Sequence, residues 1–471
     1  MQETIVLYPA LGMGHVICTV ELGKLIFNHY KNQFSITILL ITSEVLHDPS
    51  IDLYVENISK SYPFITFRRF PYLPVDKTPT RSKAAIAFEC IRNNTPNALH
   101  SLKEISAVSK VKAFVIDLFC GPALSVAREL NIPTYFFFTS GAACLSSFLY
   151  LPTIHEQHHE SFKDLFGVIL DFPGIPPLKA IHLPEPILDR KDPAYNDFIY
   201  FCTQLPKADG IMVNSFDSLE PKALEVLSNN LCVPNGKTPP IYCIGPLIAG
   251  QTGAQHHCLS WLDKQPSKSV VFLCFGSRGT FTREQLKEIA DGLERTGERF
   301  LWVVKNVPLH AKIKQTDHTT DFELDSILPE GFVERVKDRA LVVKAWAPQV
   351  AVLNHDAVAA FVTHCGWNST LEAVVAGVPM VAWPLHAEQH INRNLLVEEM
   401  KLAVGVEQRD EDGYVNAAEV ERRVKEMMGS DRGRELRQRS LTMREKASQA
   451  LGESGSSIKA LDKLIQRLKH G

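Results

Sequence analysis

The 471-residue sequence is short of several things that would have assigned it quickly. It holds 10 cysteines but no CxxC pair and no tight cysteine spacing. Cys120 and Cys274 sit inside apolar runs, where cysteine acts as a small hydrophobe. A disulfide framework is not expected, and a reducing cytoplasm fits best. Charge of one sign is also missing: 50 Lys and Arg face 53 Asp and Glu, a net charge of −3. Nothing in that balance favours nucleic acid or an anionic membrane surface. No apolar run approaches the roughly 18–20 residues of a membrane span. The start, MQETIVLYPALGMGH, lacks the basic opening and apolar stretch of a signal peptide. GxSxG is absent, which leaves serine hydrolysis unsupported. His355, His364 and Cys365 have no second cysteine at a zinc-binding spacing, so no metal site is expected.

What is present is an alternation of short apolar runs with longer amphipathic stretches, twice over. Strands are expected at Thr4–Tyr8, Ser35–Thr42, Ile65–Phe70, Ala113–Leu118, Thr134–Phe138 and Gly210–Asn214. After a Pro- and Gly-rich stretch, which holds only one expected short strand at Ile241–Ile244, the pattern restarts at Val270–Phe275, Phe300–Val304, Leu341–Ala345, Ala360–Thr363, Met380–Trp383 and Val404–Glu407. Helices are expected between them, for example Ala84–Ser106, Gly121–Leu130 and Ser369–Ala376. Nearly continuous apolar strands separated by helices argue for parallel sheets covered on both faces. The reading is α/β, with two Rossmann-like doubly wound domains. The boundaries are an N-terminal domain at 1–240, a linker at 241–257, a second domain at 258–455 and a final helix at 456–471. Ligands of such sheets bind outside the carboxyl ends of the strands, which puts the expected active site in a cleft between two facing domains.

Four motifs carry possible chemistry. Gly12-Met13-Gly14-His15 follows the first strand, but Ile17 stands where a dinucleotide fingerprint needs its third glycine. His15 is then either an ordinary turn histidine or a base for a substrate hydroxyl. Asp117 ends an apolar strand, where it either caps the helix toward Gly121 or orients His15 as the acid of a triad orients its histidine. Phe275-Gly276-Ser277-Arg278-Gly279 is a second glycine-rich turn suited to phosphate. The fourth is the 44-residue stretch from Trp346 to Gln389, with His364-Cys365-Gly366-Trp367-Asn368-Ser369 between strand and helix. Asn368 and Ser369 would lie at a helix N-terminus that favours a pyrophosphate. His364 would donate to a phosphate oxygen, and Glu372 would accept from ribose hydroxyls. Trp346 offers a flat face for a base, and Glu388-Gln389 a set of acceptors and donors for a sugar. The DxD at Asp410–Asp412 lies in a polar loop and reads as solvated.

In length, opening tryptophan, HCGWNS centre and closing glutamine, Trp346–Gln389 resembles the signature box of the plant UDP-dependent glycosyltransferases that act on small natural products. GMGH, Asp117, Trp261–Asp263, Phe275–Ser277 and Pro329–Phe332 extend the resemblance over essentially the whole chain. It implies a GT-B fold, an N-terminal acceptor domain, a C-terminal donor domain and a last helix that returns to the first. It implies that Trp346, with Ala347 and Gln349 beside it, meets uracil, and that Ser277, His364, Gly366, Asn368 and Ser369 hold the diphosphate. Glu372 would hold ribose, and Glu388 and Gln389 the sugar; Trp367 and Gln389 match a glucose preference, while the family's usual aspartate before the last glutamine is here Glu388. Gly14, Phe119 and Thr139 are the expected acceptor contacts, and Phe136–Pro152 is an aromatic-rich run suited to a flat phenol, although much of it must be ordinary core.

The implied activity is inverting, metal-independent transfer of glucose from UDP-glucose to a hydroxyl of a flavonoid, isoflavone or chalcone by a monomer. UDP-glucose is a co-substrate and no cofactor is expected. The alternatives are C-glucosylation of a phenolic ring by the same base, a non-catalytic UDP-sugar binding protein, and a nicotinamide-dependent dehydrogenase, which the incomplete fingerprint disfavours.

Overall fold

The computed structural model describes residues 2–30, 33–76, 78, 81–250, 256–306 and 322–470. The chain divides into two compact units, Met1–Ala249 with Gln449–Gly471, and Gly250–Ser448.

The strands of the first unit are β1 (Glu3–Tyr8), β2 (Phe34–Leu40), β3 (Ile65–Arg69), β4 (Lys110–Asp117), β5 (Thr134–Phe138), β6 (Ile169–Leu170), β7 (Leu178–Lys179), β8 (Gly210–Val213) and β9 (Ile241–Cys243). Seven of them form one parallel sheet in the order β3-β2-β1-β4-β5-β8-β9, and β6 and β7 pair as a small antiparallel ribbon. All five residues of β5 are buried, the pattern of a strand covered on both faces. β9 falls within the stretch read from sequence as linker; it pairs in register with β8 at the edge of this sheet. The helix Ser456–His470 also belongs here, because Leu461, Leu464, Ile465 and Leu468 recur at helical spacing and enter the core with Tyr242 and Ile244. Ser457 Oγ fastens its start by donating to the Gly245 carbonyl at 2.6 Å.

The second unit contains β10 (Val270–Cys274), β11 (Arg299–Val304), β12 (Ala340–Lys344), β13 (Val358–Thr363), β14 (Met380–Ala382) and β15 (Ala403–Gly405). They form a six-stranded parallel sheet ordered β12-β11-β10-β13-β14-β15, the doubly wound order with its reversal between β10 and β13. In the first unit the reversal lies between β1 and β4. Sequence-local signals set several helix ends. Thr282 accepts from Gln285 N at 3.2 Å to start the helix Arg283–Thr296, and Gly297 at φ 73° ends it.

Two expected helices differ. Ala84–Ser106 is broken into Lys83–Asn93 and Thr95–Val108. Pro96 cannot continue a helix already under way, and buried Asn94 seals the break by donating its amide to the Cys90 carbonyl at 2.8 Å. Before Leu124–Glu129 the chain runs as a 3-10 turn, Leu118–Ala123, which starts directly after Asp117. All 10 cysteines are free. Among the described residues no helix is long and apolar enough to cross a membrane.

Candidate active site

In the first unit His15, Asp117 and Thr139 cluster at the carboxyl ends of β1, β4 and β5. After β1 the chain turns at Gly12, whose φ of 113° is a conformation side chains rarely allow, and enters the helix Met13–His29. His15 lies in the first turn of that helix, its N–H bonded to the Gly12 carbonyl at 3.2 Å. Its Nδ1 is 2.7 Å from Oδ2 of Asp117. Only 2% of the Asp117 side chain is exposed, against 28% for His15, so the carboxylate is held inside and the imidazole reaches solvent. The other carboxylate oxygen, Oδ1, accepts from Phe119 N at 3.1 Å. Asp117 therefore does both things open to it in sequence: it caps the following 3-10 turn and it holds His15. A carboxylate on Nδ1 favours the tautomer with the proton there, which makes Nε2 the basic nitrogen. Thr139 Oγ1, just past β5, lies 3.2 Å from the same Nδ1.

Phe119 meets His15 edge-on at 5.8 Å and is itself surrounded by Phe88, Phe198 and Phe201 at 5.2–6.0 Å. That wall was missed in sequence, because its members are spread from residue 88 to 201 with no local pattern. The run Phe136–Pro152, expected to serve the acceptor, is largely core: Phe136, Phe137 and Phe138 are at most 2% exposed. Its helix, Ala142–Gln157, is started by buried Glu220, which accepts from Ala142 N and Ala143 N at 2.9 and 3.0 Å. Gly14 is exposed at the start of its helix.

In the second unit three adjacent strand ends carry a separate cluster of polar groups. β13 ends in Thr363 and leads through His364, Cys365 and Gly366 into the helix Trp367–Ala376. No side chain caps that helix, so its first turn presents backbone N–H groups to an anion. Cys365 takes φ 63°, and buried Asn392 fixes the turn by donating to the Cys365 carbonyl at 2.9 Å. The His364 ring lies between two glycines: a Cβ on Gly276 or Gly366 would stand 2.4 Å from Nε2. Its Nδ1 is buried without a hydrogen-bond partner. Burial, with the neighbouring His386 and Lys305, pushes the His364 pKa down to about 3, so the ring is neutral near pH 7. His386 is pushed down to about 4 by burial, Arg278 and Lys305.

Gln349 donates to Ser369 Oγ at 2.8 Å and to Glu372 Oε2 at 2.7 Å. Burial pushes the Glu372 carboxyl up to about 7, despite the hydrogen bond from Gln349 that lowers it. Trp346 is 54% exposed, a flat apolar face left open, with His256 edge-on at 5.7 Å. Ala347 is buried beside it, and Ser277 is exposed on the glycine-rich turn after β10. Trp367 is buried, whereas Asn368 is partly open. Gln389 is buried and accepts from Leu385 N and His386 N at 2.8 and 2.9 Å, which leaves its amide nitrogen as the group for a ligand. Glu388, partly exposed, follows Ala387 at φ 55°. Ala345, Cys365 and Ala387 all hold a left-handed backbone within or beside this stretch, the kind of strain that collects at binding sites. In the polar loop, Asp412 is taken up by Arg409. Among the described residues no group of three or more His, Cys, Asp or Glu could hold a metal ion.

Two doubly wound units, one carrying the His15–Asp117 pair and the other an uncapped helix start after its fourth strand, have the architecture of a GT-B nucleotide-sugar transferase. The comparisons with known proteins agree. Residues 231–429 match the family model "UDP-glucoronosyl and UDP-glucosyl transferase". The chain is 56% identical to UDP-glycosyltransferase 88F3 of Pyrus communis, over 99% of this chain and 100% of that protein. It is 54% identical to a phloretin 2'-O-glucosyltransferase of the same species, over 99% and 100%. The solved structure of Phytolacca americana UGT2 with UDP-2fluoro-glucose and pterostilbene superposes with a TM-score of 0.87 at 35% identity, over 99% of this chain and 100% of that one. The chain belongs to the UDP-glycosyltransferase family.

Proposed function

We propose that the protein transfers glucose from UDP-glucose to a hydroxyl of a small phenolic acceptor of the flavonoid, isoflavone or chalcone class, with inversion and without a metal ion. The 2.7 Å pair of His15 and Asp117 carries the reading. Nε2 of His15 takes the acceptor hydroxyl's proton as that oxygen forms its bond to the anomeric carbon. The bond from the anomeric carbon to the β-phosphate oxygen breaks, and its electron pair leaves with UDP. Asp117 balances the imidazolium. Base catalysis of this kind contributes roughly 10²–10⁴ in rate.

In this reading Trp346, Ala347 and Gln349 hold uracil, and Glu372 holds ribose. Ser277, His364, Gly366, Asn368 and Ser369 hold the diphosphate, and Trp367, Glu388 and Gln389 shape the glucose site. Gly14, Phe119 and Thr139 meet the acceptor. Relatives named for phloretin and crystallised with pterostilbene support a phenolic acceptor. The phenylalanine wall around Phe119 suits a flat ring beside His15. A reducing cytoplasm, supported by the free cysteines, and a monomeric state complete the proposal.

The test is a panel of flavonoids and chalcones with UDP-glucose, read by mass spectrometry and NMR. UDP release with O-glucosides is expected. Products linked through a ring carbon would replace this with C-glucosylation, and UDP-glucose binding without turnover would leave a binding protein.

A further inference from the structure

Lys305 directly follows β11, in the same place that Asp117 occupies at the end of β4: a charge closing an apolar strand, FLWVVK. β11 lies next to β10, and β10 next to β13, so three neighbouring strand ends carry Lys305, the Gly276–Ser277 turn and His364. The Lys305 ammonium donates to the Gly276 carbonyl. Gly276 in turn holds φ 72° and packs so closely on His364 that a Cβ there would clash with the ring. One lysine thus fixes the backbone on which the phosphate turn and His364 rest. Among the described residues no carboxylate pairs with Lys305, although burial lowers its pKa. An ammonium drawn inward without an acid beside it is costly unless an anion comes to it.

The charge balance of the proposed reaction needs such a group. With His364 near 3 and His386 near 4, neither ring carries a full charge at neutral pH. Arg278 is exposed, and its charge is screened. UDP departs with an extra negative charge on the β-phosphate, which neutral N–H donors meet only in part.

We propose that Lys305 is the positioning and charge-bearing residue of the diphosphate site: its bond to Gly276 sets the phosphate turn, and its ammonium balances the departing diphosphate. This rests on the reading of the second unit as a UDP-sugar site.

The experiment compares binding of uridine and UDP to the full chain by calorimetry, for wild type, Lys305→Gln and Lys305→Arg. Gln keeps a donor for the Gly276 carbonyl without the charge; Arg keeps both. Uridine binding should stay within about twofold in all three, because uridine carries no phosphate. UDP affinity should fall on the order of tenfold or more in Lys305→Gln, the size of one hydrogen bond to a charged group, and return in Lys305→Arg. The His364 titration, followed by NMR, should shift upward in Lys305→Gln as the repelling charge goes. The inference is overturned if Lys305→Gln binds UDP like wild type, or loses uridine and UDP equally. Wild type that binds uridine or UDP not at all would instead overturn the UDP-sugar site itself.

Discussion

Asp117→Asn separates the two duties of Asp117 and tests the base assignment. In the native chain Oδ1 accepts from Phe119 N and Oδ2 faces His15 Nδ1. An asparagine amide can keep the first contact with its oxygen. Its NH2 must then donate to His15 Nδ1, which forces the ring proton onto Nε2. The nitrogen that should take the acceptor's proton is now already protonated. The expected loss in kcat is roughly 10²–10⁴, the range of general-base catalysis. The fold should barely notice, because the cap survives. Asp117→Ala removes the cap as well, which costs about 1 kcal/mol and about 2–4 °C in Tm. Yet the alanine variant leaves the ring free to choose its tautomer, so it should be the faster of the two. The assay is UDP release at saturating UDP-glucose and phenol, with thermal melts alongside. Replacing the phenol with a nitrophenol, largely ionised before it binds, should shrink the asparagine defect, because little proton remains to be removed. An Asp117→Asn enzyme within fivefold of wild type, or a defect equally large for the nitrophenol, would refute the reasoning.

Three further predictions come from buried polar groups. Glu372 has its folded pKa raised from 4.5 to about 7, so its stability is full below the unfolded value and is lost as pH rises through 7. Glu372→Gln should therefore melt higher than wild type at pH 8, by about 1–3 kcal/mol after allowance for partial exposure, with little difference at pH 4.5, while binding uridine more weakly. No pH dependence in that difference would remove the burial argument. For Gln389→His, glucose transfer should weaken and the Leu385–His386 turn should loosen, because one imidazole cannot accept from both N–H groups; unchanged donor preference in competition between UDP-sugars would dismiss the sugar role. Glu220→Ala should cost roughly 2–4 kcal/mol in denaturant unfolding, as it strands two helix N–H groups and the Ser215 hydroxyl in the core. A loss below about 0.5 kcal/mol would contradict that count.

Much of the fold was legible because its signals are local. Every strand of the two large sheets falls within or beside an apolar run, and the parallel arrangement followed from their alternation with helices. Boundaries were less legible where a single residue decides them, as at Pro96, and the sheet that a strand joins was not legible where its partner is distant, as for Ile241–Cys243 on β8. The family was readable for a similar reason. Its signature is packed into the single stretch from Trp346 to Gln389, so residue types and spacing speak together. Lys305 escaped notice although it sits under the same turn, because it comes from a different strand.

The sequence by itself determined the class of fold and the family, since each depends on periodicity or on a contiguous motif. The tertiary structure alone decided that His15 and Asp117 meet. They are 102 positions apart, and only the β1–β4 neighbourhood at the sheet's reversal brings their side chains to 2.7 Å. It also packed buried Phe88, Phe198 and Phe201 behind Phe119, and it brought Lys305, Gly276 and His364 together from three strands. Hydrogen bonds and ring contacts act over a few ångströms, and parallel strand order, not sequence distance, sets which residues come within that reach.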